Sequence, residues 1–232
     1  MKKKHIVAGQ GQIGAAIKKI LGAEGIDTDV SKNDCNQNAY EILHICFPYS
    51  ALFLKQVRSY QKQFSPKITI IHSTVPVGTS SKLSAVHSPI RGVHPFLEKG
   101  IRTFVKFFGG PQAKTASKYF TQKGISVICH TSARTTEALK LWDTTVYGWN
   151  IILEKIVHDF CKKNKVDFDL VYTKSNSTYN EGYEKLGYPQ YKKYILKHVD
   201  GGIGGHCVIS NLDLLDNKIA KIIKQLNKAH LW

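Results

Sequence analysis

Gly9, Gly11 and Gly14 follow the spacing GxGxxG, between a short apolar run from His5 to Ala8 and a segment with helical periodicity from Gln12 to Leu21. In that setting each glycine has a task. Gly9 permits a tight turn, Gly11 lets the backbone approach a pyrophosphate, and Gly14 allows the helix to pack on the sheet. The helix N-terminus then offers unpaired N–H groups and a positive dipole end to the anion. The spacing also occurs in purely structural glycine turns, and it is the strand before it and the helix after it that point to a dinucleotide. A second strand, Ile26 to Val30, carries Asp29 to the place where an acidic side chain accepts hydrogen bonds from the adenosine ribose, with Asp27 the alternative if the strand ends sooner. That favours NAD. Ser31 and Lys32 could instead hold a 2′-phosphate, so NADP is not excluded.

These residues need a frame, and the rest of the chain supplies one. Glu41 to Phe47, Lys67 to Ser73, Thr103 to Gly110 and Ile125 to His130 are β-rich apolar runs, and a helix from Ser50 to about Phe64 should turn Leu52, Val57 and Tyr60 inward. Strands alternating with helices predict an α/β fold, a Rossmann doubly wound parallel sheet over residues 1–132. From Ala133 to Asn164 there is no proline and a single glycine, Gly148. Leu139, Trp142, Val146, Trp149, Ile152, Leu153, Ile156 and Phe160 recur there at helical spacing, which predicts one long helix. It opens a smaller all-helical domain, 133–232. Shorter helices broken near Gly187 and Pro189 follow, then the turn GGIGGHC and a last amphipathic helix from about Leu214 to Leu231. The long apolar stripe exceeds what the remaining segment can cover and predicts a homodimer.

Composition narrows the function class. The 232 residues carry 33 Lys and Arg against 17 Asp and Glu, a formal charge of +16, so the field attracts anions. The lysines are spread over helix faces without a basic tail or a nucleic-acid motif, which favours a small anionic substrate over nucleic acid. No apolar run has the length of a membrane helix, and Met1 to His5 leads into a strand rather than a secretory leader, so a cytoplasmic location is expected. The five cysteines are odd in number and lack CxxC spacing, so neither a disulfide framework nor a metal site is expected.

Three further segments carry a resemblance. After the strand ending at Ser73 comes STVPVGT, Ser73 to Thr79, at the carboxyl edge of the sheet where a turn faces the cofactor crevice. EALKLWDTT contains Lys140, and GIGGHC ends at Cys207. In this order the three resemble the UDP-glucose and GDP-mannose dehydrogenase family, and the last resembles its UDP-N-acetylmannosamine branch in particular. The resemblance implies an NAD-dependent oxidoreductase acting on an alcohol or aldehyde of a sugar-like or otherwise anionic substrate. It assigns Cys207 as the nucleophile that captures an aldehyde, Lys140 as the cation facing the oxyanion, and Thr74 as a water-holding hydroxyl. Cys207 and Lys140 would then flank one pocket. The cofactor-facing set becomes Gly9, Gly11, Gln12, Ile13, Gly14, Asp29, Pro48, Ser73 and Thr74.

The departures are chemical as well as architectural. The family places an Asn four residues after its lysine and an Asp four after its cysteine, where this chain has Thr144 and Asn211. Asn211 takes the catalytic Asp's place yet cannot be a general base, which puts thioester hydrolysis in doubt. The family's acidic residue is missing from HSPIRGVHPFLE, whose Arg91 and His94 could instead bind an anionic substrate and transfer a proton, with His206 as a further substrate contact. The family's nucleotide-recognising C-terminal domain has no counterpart here. The alternative reading is therefore a dinucleotide-binding or regulatory protein of reduced catalytic power.

Overall fold

The apolar runs of the first half form seven strands: β1 (His5–Ala8), β2 (Glu24–Ile26), β3 (Ile42–Ile45), β4 (Ile68–Ile71), β5 (Val86–His87), β6 (Lys106–Gly109) and β7 (Val127–His130). They lie in one sheet in the order β2-β1-β3-β4-β5-β6-β7. The computed structural model describes residues 4–92, 95–204 and 207–229. Strands β1, β3 and β4 are buried along their whole length, as a sheet covered on both faces requires. Two details differ from expectation. The sheet is not wholly parallel, because β5 runs parallel to β4 but antiparallel to β6. The strand β5 is itself only two residues long, too short for a hydrophobic period to reveal it. Likewise β2 ends at Ile26, so Asp27 to Val30 form the turn beyond it rather than its last residues.

Helices α1 (Gln12–Leu21), α2 (Phe53–Phe64), α3 (Leu97–Thr103) and α4 (Ala113–Thr121) cover the sheet. Helix α1 buries Ile17, Ile20 and Leu21 and ends on Gly22, whose left-handed φ of 63° lets its N–H return to the Lys18 carbonyl. Helix α2 starts later than the sequence suggests. It buries Phe53, Val57 and Phe64, while Leu52 is exposed and Tyr60 only half-buried. Ile17, Ile70, Phe108 and Phe120 belong to the core on one face, and Ile6, Leu43, Phe53 and Ile71 to the core on the other.

Helix α5 (Ala133–Asn164) has the predicted bounds. The chain divides into compact units at Leu141/Trp142, inside this helix rather than ahead of it at 132/133, because the first turns of α5 are bonded to the unit that holds the sheet. In the second unit come a π-helical segment (Asp169–Lys174), α6 (Ser175–Lys185), α7 (Cys207–Leu212) and α8 (Lys218–Lys228). Ile152, Ile203, Val208, Leu212 and Ile223 form its core. Gly148 makes the close approach possible, since a Cβ there would lie 2.7 Å from Val208 Cγ1. Of the apolar stripe, Ile152 is buried, whereas Trp142, Val146, Trp149, Leu153, Ile156 and Phe160 are exposed.

The sheet interior also holds basic groups. Burial holds His5 down at about 4 and His87 at about 3, and pushes His44 and His72 well below the usual imidazole range. All four are therefore neutral when folded, while the unfolded chain binds protons at each below about pH 6.5. The histidines' share of stability should be full above that pH and fall as pH drops from about 6.5 towards about 4, each adding a slope of up to about 1.4 kcal/mol per pH unit, while Lys106, lowered by burial to about 7, adds its own decline from about 10.5 towards about 7. Urea unfolding at a series of pH values measures this, and a flat profile across the window would contradict the burial of neutral imidazoles.

Candidate functional site

The glycine turn is built by close approach. Gly9 has φ +91°, and a Cβ on it would meet the Phe47 backbone nitrogen at 2.9 Å. A Cβ on Gly14 would sit 1.8 Å from the Gly9 carbonyl oxygen, so only glycine lets α1 start there. Around Gly11, by contrast, no atom of the described residues, its chain neighbours apart, lies within 4 Å of the Cβ position. Helix α1 begins just beyond it, with Gln12 exposed and Ile13 half-buried at its first positions. The motif thus combines packed ends with an open centre, the shape that a pyrophosphate approaching the N–H groups of a helix start requires.

Beside that opening is a crevice of about 230 Å³, lined by Gly9, Gly11, Asp27, Thr28, Cys46, Phe47, Pro48, Gln56 and Tyr60. The acidic residue in it is Asp27. Its carboxylate accepts a hydrogen bond from the Gln10 N–H of the glycine turn, and it also accepts from Asp29 N–H at 3.1 Å. The Gln10 N–H is the main reason its carboxyl is held below the usual range, so it is ionised at neutral pH. Asp29 does not line the crevice. It is exposed and caps the turn after β2, accepting from Ser31 N–H and pairing with Lys32 at 3.2 Å. The cause is the early end of β2, which moves the crevice position back by two residues.

Ser73 follows β4. Its hydroxyl donates to the Phe47 carbonyl at 2.6 Å, tying the end of β4 to the loop that carries Pro48. Thr74 is half-buried next to it. The turn continues through Val77 to Gly78, where φ is +96°. Here the structure supplies a residue the sequence reading missed. Glu137, completely buried on α5, accepts the N–H of Gly78 at 2.5 Å and of Ser80 at 2.7 Å. A second tie comes from His87, whose Nε2 donates to the Ser73 carbonyl at 3.2 Å while its Nδ1 faces the Thr136 hydroxyl at 3.0 Å. Since a carbonyl only accepts, His87 carries its proton on Nε2. Burial is the main cause of its low pKa, and the charges of Lys106 and Lys140 add to it. Lys140 stands half-buried one turn beyond Glu137 on the same helix.

Arg91 follows β5 and is half-buried, its guanidinium 5.6 Å above the Phe104 ring and 5.9 Å from that of Phe107. His94 and His206 lie outside the described residues. In the second unit, Cys207 is exposed at the start of α7. Asn211, four residues on, is buried, and its amide donates to the Thr144 hydroxyl at 3.4 Å. The two positions at which the chain departs from the family pattern are therefore bonded to each other, as a neutral pair. Among the described residues no group of His, Cys, Asp or Glu is placed to hold a metal ion, and no helix is long and apolar enough to cross a membrane.

No protein-family model and no curated protein matches the sequence. Solved structures do match the fold. A UDP-N-acetylmannosamine dehydrogenase from Pyrococcus horikoshii is similar with a TM-score of 0.78 at 17% identity, over 97% of this chain and 68% of that one. Its counterpart from Staphylococcus aureus gives 0.73 at 16% identity with the same coverage. The 3-hydroxyisobutyrate dehydrogenase of Mycobacterium tuberculosis gives 0.67 at 13% identity, over 99% of this chain and 95% of that one. The chain thus has the Rossmann-like fold of the N-terminal portion of nucleotide-sugar dehydrogenases, and nearly the whole fold of the shorter enzyme.

Glu137→Ala would leave two buried N–H groups unpaired and should lower stability by roughly 2 to 5 kcal/mol, with Glu137→Gln, which keeps one acceptor, costing less. Urea denaturation of the two variants measures the difference, and equal stability of Glu137→Ala and wild type would remove the carboxylate from this role.

Proposed function

We propose that the chain is an NAD-dependent oxidoreductase that moves a hydride between the cofactor and an alcohol or aldehyde of a sugar-like or otherwise anionic small molecule. The observation that carries the reading is the crevice that an open Gly11 and an ionised Asp27 both line. Gly11 leaves room for a pyrophosphate, and the N–H groups of Gln12 and Ile13 at the helix start would meet its charge. Asp27 would accept from the adenosine ribose hydroxyls, and a carboxylate there disfavours the 2′-phosphate of NADP. Gly9 and Pro48 line the crevice, Gly14 packs behind Gly9, and Ser73 is bonded to the lining residue Phe47. When bound, the cofactor supplies the hydride acceptor, and the chain's own residues bind and orient the substrate around it. Thr74, on the turn after β4, would hold a water or substrate hydroxyl, and Arg91 would pair with a substrate anion.

By the family resemblance, Lys140 would stabilise an oxyanion and Cys207 would be the nucleophile, with His94 and His206 as substrate-side groups. The buried Thr144 and Asn211 pair favours a second reading, reduced catalysis. An amide engaged with a hydroxyl does not take a proton, so Asn211 would not activate water for thioester hydrolysis. Gly11→Val separates binding from folding, because the space around Gly11 is open and the valine collides with a ligand rather than with the protein. Calorimetry should show NADH binding to wild type and at least a tenfold loss in the variant, roughly 1.4 kcal/mol or more. Equal affinity in a folded variant would sink the cofactor assignment, and tight NADH binding without turnover of any sugar alcohol would favour the second reading.

The exposed stripe from Trp142 to Phe160 supports a homodimer built on α5, since contiguous apolar surface of that extent marks an interface. Light scattering should give a dimeric mass at micromolar concentration, and Trp149→Glu should yield folded monomer. A monomeric wild type would refute this assembly.

A further inference from the structure

Three imidazoles cross the interior of the nucleotide-binding unit in single file. His5 begins β1, His44 stands on β3, and His72 follows β4, all on the face covered by α1 and α4. The register pairs Val7 with His44 and His44 with Ile70, so each histidine lies two residues further along than the last. The file therefore runs obliquely from the N-terminal edge of the sheet to its carboxyl edge. His5 Nδ1 lies 3.0 Å from His44 Nε2, and His44 Nδ1 lies 3.0 Å from His72 Nε2. At the far end His72 Nδ1 is 2.8 Å from the Ser88 carbonyl and 3.4 Å from Nζ of Lys106, a lysine only 4% exposed. Lys106 also donates to the carbonyls of Ser88 at 3.1 Å and Pro89 at 3.4 Å.

The direction of this chain is fixed by its end. A carbonyl only accepts, so His72 carries its proton on Nδ1 and its Nε2 must accept. His44 then donates from Nδ1 and accepts at Nε2, and His5 donates from Nδ1. A second register exists with every proton on Nε2 and His72 Nδ1 accepting from Lys106. All three imidazoles are neutral in both registers.

We propose that His5, His44 and His72 form a proton relay between the N-terminal edge of the sheet and the buried amine of Lys106. A proton bonds to His5 Nε2, and the Nδ1–H bonds of His5, His44 and His72 break in turn. Their protons form the Nε2–H bonds of His44 and His72 and a third Nζ–H bond on Lys106, which becomes an ammonium. Reversal returns one proton to solvent. Of the three histidines His5 is the outer one, 9% exposed against 0% for His44 and 2% for His72.

The charged surroundings agree with neutral intermediates and a titrating terminus. Glu41, Lys4 and Lys123 act on His5, Lys106 acts on His44, and Lys106 and His87 act on His72, with burial the dominant influence on each. Burial lowers Lys106 to about 7 and pushes the Cys46 thiol up to about 12, which leaves that thiol uncharged. The amine thus gains and loses its proton near neutrality, and each change alters its grip on the Ser88 and Pro89 carbonyls that lead into Arg91. The relay does not depend on the proposed dehydrogenase activity.

Nitrogen NMR of the full chain, labelled at histidine and lysine, reads the tautomers directly. From about pH 9 to about pH 6, His5, His44 and His72 should pass together from the Nδ1–H to the Nε2–H form, with a common midpoint matching that of Lys106 Nζ. Lys106→Met should hold all three in the Nδ1–H form across the range. Ser88→Ala, which removes a buried hydroxyl without a partner and keeps the accepting carbonyl, should behave as wild type. Tautomers that stay fixed in wild type while Lys106 titrates, an imidazolium at any of the three, or a switch that persists in Lys106→Met would overturn the relay. If Lys106→Met does not fold, the presence or absence of a common midpoint in wild type decides.

Discussion

A carboxylate taken out of water must be met by donors, and Glu137 is met by the backbone N–H groups of Gly78 and Ser80. That bond joins two elements distant in sequence, the turn after β4 and the first turns of α5. The turn carries Thr74 and the helix carries Lys140, so the spacing between these two candidates depends on it. His87 repeats the tie one layer deeper, from the Ser73 carbonyl to Thr136. Gly78 belongs to the same constraint, because its φ of +96° and the Arg134 guanidinium 3.0 Å from its Cβ position leave little room for a side chain.

What the sequence revealed and what it hid divide along the range of the interactions. Helix α5, the glycine turn and the main strands are written in local periodicity, and they appear where the pattern places them. The strand β5 is two residues of a non-local pairing and leaves no period to read. Asp29 is the expected position if the second strand reaches Val30, and Asp27 if it ends sooner. The choice is decided by the Gln10 N–H reaching Asp27 across the turn, a contact between residues of different elements. Glu137 gave a single faint signal, a carboxylate among apolar neighbours on a helix that must be buried. Its partners are backbone groups, which no side-chain pattern encodes.

In the second unit the same logic of satisfied polar groups replaces charge with neutrality. Thr144 and Asn211, the two departures from the pattern of the family this chain resembles, meet as a hydroxyl and an amide. Nearby, the segment before α7 is bonded to α5 by Lys155, which donates to the Val199 carbonyl at 2.6 Å, and by His198, 2.7 Å from the buried Glu154. His158 stacks on His198 with ring centroids 3.6 Å apart. These contacts hold the stretch that approaches Cys207, so the cysteine's setting rests on tertiary bonds rather than on its glycine turn alone.

The row of histidines explains why a covered, largely parallel sheet can be polar inside. Each imidazole offers one donor and one acceptor, and a file of them satisfies every interior nitrogen provided that all point the same way. The arrangement is collective. Replacing His44 alone by an apolar residue strands the Nδ1–H of His5 and the Nε2 of His72, each at the full cost of a buried unpaired group. Replacing all three by apolar side chains strands nothing within the file, and leaves Lys106 with the carbonyls it already has. A single substitution in the row is thus more damaging than its complete removal, which is the signature of a polar network acting as one unit. While Lys106 is a neutral amine the tautomers are set by the Ser88 carbonyl at the carboxyl edge, so the residue just beyond β5, the shortest strand, sets the polarity of the row.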